Sequence, residues 1–488
     1  MSLPLALLRD RFIGLDTEYP LAGGGVARRH YLDSAASSLM LQPAWQTAEA
    51  FLKHYSNTHS LLHHGARVAT HACIWAHERA LALVAADPAT YACAFAGSGS
   101  TGCFNRIARS LAGLRPERDV VLVSGMEHHS NDLPHRKHAG QVEHIPMTGV
   151  APAFGALDLE VLAARLESNR GRVNYVAITG ASNVTGIINP LKAIADLVHA
   201  HDAWLVVDGS QLVMHAPVRM ADGIDFLAFS GHKVYAPGSP GVIVGRRDLL
   251  IELEPDEVGG GMVDDVSLEG YIVSESFPGR EEAGTPNIVG AVLLGAALET
   301  LMQIGMDKVH EAEQAMLAPL LRELASRPRV RVYGDTDLAR SPRTGTVAFN
   351  LEGLDHGLVA AALNDYFGVA VRNACFCAHP YVREMLKPEL WDSTLDVELA
   401  SGIAELEMHQ GMVRASFGLY TTRDDVQALL AGIDALCADA HGFRDRYQRG
   451  ADGVPRHRRF FAPVETLFDP SRELARAIAA GGGRPAEN

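Results

Sequence analysis

The chain has 488 residues, 47% of them apolar and 21% charged, which allows two or three domains with ample core and excludes disorder as its general state. Its formal net charge of −15 leaves no basic stripe, so nucleic acid and an anionic membrane surface are excluded as expected partners and small-molecule chemistry is expected instead. No apolar run approaches the ~20 residues of a membrane span, and Met1 to Leu8 lack the basic region of a signal peptide, so a cytoplasmic location is expected.

From Val120 to Val244, short β-rich runs alternate with helix-like stretches. The strands are expected at Val120–Val123, Tyr175–Ile178, Trp204–Val207, Phe226–Phe229 and Gly241–Val244, with helices over Leu157–Glu167 and Pro190–His201. This alternation predicts a parallel sheet wrapped by helices. The apolar segment Asn287–Ile304 leads into the amphipathic Lys308–Leu324, which reads as a linker helix into a smaller C-terminal α/β domain. Strands of that domain are expected at Val330–Tyr333, Gly345–Asn350, Val369–Arg372 and Gly411–Phe417. The tail from about Arg444, with its basic Arg456–Arg459 run and Gly-rich end, is expected to be partly disordered, and its charges to be a solvated face.

Six cysteines at 73, 93, 103, 375, 377 and 437 fit a reducing compartment better than a disulfide framework. Cys375-x-Cys377 has no second pair at zinc spacing, so no metal is expected. The chemistry points elsewhere. Lys233 follows Ser230-Gly-His232 and lies twenty-five positions after Asp208, the end of the apolar run Leu205-Val-Val207. A lysine that holds pyridoxal phosphate (PLP) as a Schiff base needs an acidic partner to keep the pyridine nitrogen protonated, and a carboxylate at the carboxyl edge of a parallel sheet is well placed for that. Either residue alone is more often an ordinary surface group.

Other polar residues are expected at the same edge. Gly97-Ser-Gly-Ser-Thr-Gly102 opens a helix-like segment and can present N–H groups and hydroxyls to a phosphate, although Gly-Ser turns are also common connectors. His128 follows a strand and, with a pKa expected near neutrality, can stack on a pyridine ring and exchange protons, against the background of 22 histidines that are mostly structural. Asn183 follows another strand, and Gln211 stands three residues after Asp208, placed to donate to the cofactor's phenolic oxygen. In the C-terminal part, Arg372 and Arg414 end strands and can hold a carboxylate through two parallel hydrogen bonds. Cys377 lies on a loop near these cations, where a thiolate is available, although a free cysteine is more usually a buried, inert thiol.

These residues together resemble the class V aminotransferase-like, fold-type I PLP enzymes, and among them the Suf-type cysteine desulfurases and selenocysteine lyases. The resemblance runs from Tyr31 to about Leu430 and rests on Tyr31-Leu-Asp-Ser-Ala-Ala36, Phe229-Ser-Gly-His-Lys-Val-Tyr235 and Glu282-Ala-Gly-Thr-Pro-Asn287. It implies a large PLP-binding domain over 31–300 with a mostly parallel seven-stranded sheet, a small α/β domain over 301–443, an N-terminal segment 1–30 completing the small domain, and an extension over 444–488. It also implies that Lys233 carries the cofactor and serves as general base, that Asp208 pairs with the pyridine nitrogen, that Gln211 bonds the phenolic oxygen and that His128 stacks on the ring. Ser100, Thr101, Ser230 and His232 would hold the phosphate, with Thr285 contributed by the second subunit of a homodimer. Asn183 and Arg414 would bind the substrate carboxylate, Arg372 would help place it, and His59 matches a histidine near the cofactor. Cys377 falls at the sulfur-accepting position, five residues after Arg372.

The implied reaction is removal of sulfur from L-cysteine to give L-alanine and a persulfide on Cys377, for delivery to a sulfur-acceptor protein. Three features depart from the family. Cys375 stands beside Cys377, where it can share the persulfide, form a disulfide or be idle; an acidic amphipathic insert lies near Leu395–Glu407, within 385–410; and the tail beyond Arg444 has no counterpart. Selenocysteine lyase, another C–S lyase, an epimerase or an aminotransferase is the alternative within the same cofactor class. A non-catalytic PLP-fold scaffold is disfavoured by the presence of Lys233, Asp208 and His128.

Overall fold

The runs Val120–Ser124, Val173–Thr179, Trp204–Asp208 and Phe226–Ser230 are buried along their whole length, which suits strands covered by helices on both sides of a sheet. In the computed structural model, which describes residues 3–58, 60–97, 99–255, 257–397 and 411–481, they form the middle of a seven-stranded sheet. The order is Tyr91–Ala96, Gly241–Arg246, Phe226–Ser230, Trp204–Asp208, Val173–Thr179, Val120–Ser124 and Gln141–Ile145. Only Gly241–Arg246 runs antiparallel to its neighbours. The other six therefore deliver their C-terminal loops to one edge. The fold is α/β, as the alternation of strands and helices requires.

Helices match their sequence patterns closely. Leu159–Ser168 is started by the Asp158 carboxylate, which accepts from the N–H groups of Glu160 and Val161. The expected linker helix is two helices, Ile288–Ile304 and Met306–Ala325, bent by 75° at Gly305, whose φ of +92° ends the first. Ile288–Ile304 is apolar nearly all round because it lies inside the large-domain core. No single described helix is long and apolar enough to cross a membrane.

A second core belongs to the small domain. Its four-stranded sheet, ordered Val330–Tyr333, Thr346–Leu351, Met412–Ser416 and Arg372–Ala374, is antiparallel throughout. The strand expected over Val369–Arg372 is divided: Val369–Ala370 pairs in parallel with His30–Tyr31, and Arg372–Ala374 joins Met412–Ser416. The N-terminal segment is shared in the same way. Leu8, Phe12 and Leu15 pack into the large-domain core, with Phe12 edge-on to Tyr235 and Tyr420, and the chain reaches the small domain where Ala22 N–H donates to Asp365 O. The first thirty residues thus contact both domains: their apolar positions pack into the large core, while Ala22 N–H and the His30 side chain, 2.8 Å from Asp425 Oδ1, join the small one.

The described part of the extension contains regular elements. Ala440–Arg446 is a helix, Tyr447–Arg449 pairs with Pro455–His457 as a hairpin, and Pro470–Gly481 is helical. The hairpin is held by Tyr447 Oη donating to Asp365 Oδ2 at 2.8 Å and by the 2.8 Å bond between Tyr366 Oη and His457 Nε2. Tyr447, Tyr366 and His457 thus fix the hairpin against the small domain. The first part of the expected insert lies in the helix His379–Val397; its acidic residues 398–410 lie outside the described residues.

Candidate functional site

The strand-end loops bring the expected lysine and carboxylate together. Lys233 closes the turn Gly231–Lys233 directly after its strand and is 8% exposed. Asp208 ends the adjacent strand, in register with Ala228. Burial raises the Asp208 carboxyl and lowers the Lys233 ammonium, while each group's charge opposes that shift in the other. Ser210 N–H donates to Asp208 Oδ1 at 2.9 Å. Gln211 shares the turn, but its Nε2 donates to Ala35 O at 2.7 Å. Its buried Oε1 has no partner among the described residues. One of the two N–H groups of the amide is thus held by the Tyr31–Ala36 segment, which fixes the side chain and leaves its second N–H and its oxygen for a guest.

His128 lies on the loop after Val120–Ser124, where Ser130 N–H donates to its Nδ1 at 3.1 Å. An amide nitrogen only donates, so the lone pair is on Nδ1 and the ring proton on Nε2. Ser130 Oγ also bonds Nδ1 at 3.0 Å and Thr101 Oγ1 at 2.7 Å, joining His128 to the glycine-rich turn. Burial, followed by the Lys233 charge, pushes His128 down to about 3. The near-neutral value expected from the sequence is thus corrected: this imidazole is neutral at physiological pH.

The glycine-rich turn opens the helix Gly99–Leu114. Ser100 N–H donates to Ser230 Oγ at 2.8 Å, and Ser230 Oγ donates to Ser100 Oγ at 2.9 Å. Two glycines permit this approach: Gly99 has φ +61°, and a Cβ on Gly241 would lie 2.4 Å from Gly99 O. The hydroxyls of Ser100, Thr101 and Ser230, with a helix N-terminus, form a cradle suited to an anion. His232 is drawn toward the N-terminal segment, its Nδ1 3.2 Å from Ser37 Oγ, and burial followed by Lys233 lowers it to about 4. Thr285 is exposed, with Asn57 Nδ2 donating to its Oγ1 at 3.2 Å, and no hydrogen bond among the described residues joins it to the cradle. His59 lies outside the described residues.

On the small-domain side, Arg414 donates from Nη1 to Asn183 O at 2.8 Å and from Nη2 to Asp33 Oδ1 at 3.2 Å. Burial lowers it to about 10, which leaves it cationic. Arg372, its side chain 58% exposed, lies 3.6 Å from Asp33 Oδ2. Burial raises the Asp33 carboxyl even against both arginines. Asn183 turns its amide to the cysteine loop, with Nδ2 donating to Phe376 O at 2.8 Å, and the Arg414 guanidinium lies 4.8 Å from the Phe376 ring centre. Cys377 is exposed and Cys375 is buried. Cys375 sits in a cluster with Met126, Val184 and Tyr381, where burial raises its thiol. Ala374, Phe376 and Cys377 have φ of +86°, +52° and +54°. Such conformations cost about 1–3 kcal/mol each in non-glycine residues, so surrounding contacts must hold the loop.

Sequence reasoning missed several groups. Asp33 sits within the Tyr31–Ala36 motif, yet nothing in its spacing marks it as the partner of Arg414. Glu127 precedes His128 and is fully enclosed: it accepts from Asn131 Nδ2 at 2.7 Å, from Thr179 N–H at 2.5 Å and from Ser124 Oγ. Asn131 Oδ1 in turn accepts from His135 Nε2 at 3.0 Å, and His135 Nδ1 bonds Tyr175 Oη at 2.8 Å. Burial outweighs these donors and pushes Glu127 up to about 8. Glu127 thus ties the start of the His128 loop to the strand Val173–Thr179.

A buried lysine beside a strand-end carboxylate, a hydroxyl-lined cradle and a carboxylate-binding arginine can hold a phosphorylated aromatic aldehyde and an amino acid. The unpartnered buried Ser210 Oγ, Gln211 Oε1 and Arg414 Nε fit such a polar guest. Among the described residues, no group of three or more His, Cys, Asp or Glu side chains is arranged to hold a metal ion.

Fold and site together define an α/β enzyme of fold type I. A family model described as aminotransferase class-V matches residues 30–429, and the chain belongs to that family. It is 32% identical over 447 residues to a cysteine desulfurase of Pectobacterium atrosepticum, covering 89% of this chain and 98% of that protein. A cysteine desulfurase of Klebsiella pneumoniae is 33% identical over 413 residues, covering 83% and 93% respectively. Among solved structures, the Escherichia coli cysteine desulfurase CsdA superposes with a TM-score of 0.72 at 29% identity, covering 89% of this chain and 98% of that one. The apo cysteine desulfurase from Thermococcus onnurineus NA1 also gives 0.72, at 28% identity, covering 84% and 94%.

Proposed function

We propose that this enzyme is a PLP-dependent cysteine desulfurase acting on L-cysteine. The observation that carries the reading is the joint presence of the buried Lys233–Asp208 pair and an exposed Cys377 on the loop whose Phe376 touches Asn183 and Arg414. The similarity to cysteine desulfurases over most of the chain supports it.

Lys233 would hold the cofactor, Asp208 would pair with its ring nitrogen, and Ser100, Thr101 and Ser230 would hold its phosphate. Bound PLP supplies an electron sink for the pair left when the substrate Cα loses its proton. Arg414 receives the substrate carboxylate in place of Asp33, and the fork geometry of the guanidinium fixes its orientation. Burial favours the neutral amine of Lys233, so its Nζ can take the Cα proton. His128, neutral with its proton on Nε2, adds no positive charge beside the cofactor. The Cys377 thiolate then attacks the substrate sulfur: a bond forms between the two sulfurs, the substrate's C–S bond breaks, and the organic product leaves as alanine after protonation. Reactants and products balance as cysteine plus thiol giving alanine plus persulfide.

The same reading includes a homodimer in which Thr285 reaches the partner's cradle, a protein acceptor for the sulfur, and a reducing cytoplasmic setting suited to six free cysteines. The test is alanine formed from L-cysteine with PLP present, together with mass spectrometry of the peptide carrying Cys375 and Cys377. Alanine and one added sulfur on Cys377 are expected, and Cys377→Ser should lose both. Unchanged turnover in that variant would overturn sulfur transfer and assign direct C–S lysis.

A further inference from the structure

We infer that His129 and His379 are positioning residues that latch the Cys377 loop to the large domain, an inference that rests on Cys377 being the sulfur acceptor. His129 N–H donates to Cys377 O at 2.7 Å, gripping the residue by its backbone. His379, two residues further on, closes the grip from the other side: its N–H donates to His129 Nε2 at 3.4 Å, and its Nδ1 lies 3.2 Å from the same atom. The rings stack with centres 4.9 Å apart and planes 14° from parallel.

The tautomers follow from the donors. Because a backbone amide cannot accept, His129 Nε2 carries a lone pair, the His129 proton is on Nδ1, and His379 must hold its own proton on Nδ1 to donate. One nitrogen thus receives two hydrogen bonds from one residue of the opposing domain. The groups around His129 suit this neutral state: burial and then His379 lower its pKa, Asp132 raises it, and Arg136 lowers it again, with the His128 ring centre 6.3 Å away.

The loop needs such a latch. Ala374, Phe376 and Cys377 all hold left-handed backbone conformations, and the other struts on this loop, Asn183 and Arg414, touch Phe376 and belong to the substrate-binding set. Among the described residues, the histidine pair supplies the hydrogen bond that grips Cys377 itself, apart from the groups assigned to the substrate. When a substrate carboxylate draws on Arg414, the latch keeps the thiol in line.

The test uses the holoenzyme with His379→Ala and His379→Asn, since Asn Nδ2 can stand where His Nδ1 stands. In single turnover with L-cysteine, His379→Ala should form the Cys377 persulfide about tenfold more slowly, the scale of losing one hydrogen bond. KM and bound cofactor should stay unchanged, and His379→Asn should recover most of the rate. Hydrogen exchange of the peptide spanning 374–379, measured without substrate, should rise about tenfold in His379→Ala and return in His379→Asn. Wild-type exchange in His379→Ala, or equal impairment of both variants, overturns the latch. Absence of persulfide in the wild type would instead sink the desulfurase reading and leave the exchange experiment to decide the latch alone.

Discussion

Lys233 stands one turn beyond a strand buried along its whole length, while Cys377 stands on a small-domain loop with three left-handed residues, held from outside by Asn183, His129 and His379. The first support is built from sheet ladders that no substrate touches. The second is built from individual hydrogen bonds to the loop backbone and between side chains. A residue that holds a cofactor through every turnover benefits from the first kind of support. A residue that takes up an atom and passes it outward benefits from the second, because contacts of that kind are exchanged at small cost.

The largest expected effect separates the two supports outright. Lys233→Ala should lose the visible absorbance of the cofactor and lower turnover by about 10²–10⁴-fold or more, whereas Cys377→Ser should keep the absorbance while losing alanine and persulfide; loss of the absorbance in both variants would collapse the distinction. Next, Arg414→Lys removes the fork that spans Asn183 O and Asp33 as well as the flat cation over Phe376. KM for L-cysteine should rise about 10–100-fold, since an ammonium does not reproduce two parallel bonds, and steady-state kinetics would show it.

A smaller effect probes the sheet side through Glu127. Its folded-state pKa, raised from 4.5 to about 8, means that the native protein keeps a proton the unfolded chain has already released. Stability should therefore fall as pH rises through that window, by at most about 1.4 kcal/mol per pH unit. Denaturant midpoints measured from pH 5 to 8 should show the slope in the wild type and lose it in Glu127→Gln, which keeps the shape without the titration. The smallest change is Tyr447→Phe, which deletes the bond to Asp365 at the far side of the small domain. It should cost about 1–2 kcal/mol of stability and leave the rate of alanine formation unchanged.

The same contrast governs what could be read in advance. The central strands were legible because parallel strands buried on both faces are near-continuous runs of Val, Leu and Ile, and their ends placed Asp208, His128 and Lys233 at one edge. The outer strands Tyr91–Ala96 and Gln141–Ile145 were not: one is alanine-rich, and the other is partly exposed and polar. Their place follows from pairing rather than from pattern. Within the site, residue types carried the expectation and environment changed it. Burial makes His128 neutral, packing fixes one Gln211 N–H on Ala35 O, and the Glu127 chain of buried hydrogen bonds depends on Tyr175 and His135, which no local motif connects. The pairing of His129 with His379 spans two hundred and fifty positions and is visible only in three dimensions.

The parallel pairing of His30–Tyr31 with Val369–Ala370 has a consequence for how the chain is made. The partner strand leaves the ribosome about 340 residues later, so at about 5–20 residues per second the early strand waits roughly 20–70 s for it. By then every strand of the seven-stranded sheet has been translated. The small domain, which carries Cys377, is closed by a segment made first and a hairpin made near the end, and such non-local closure folds slowly. A nascent chain stalled before residue 369 would hold the lysine half of the site without Cys377.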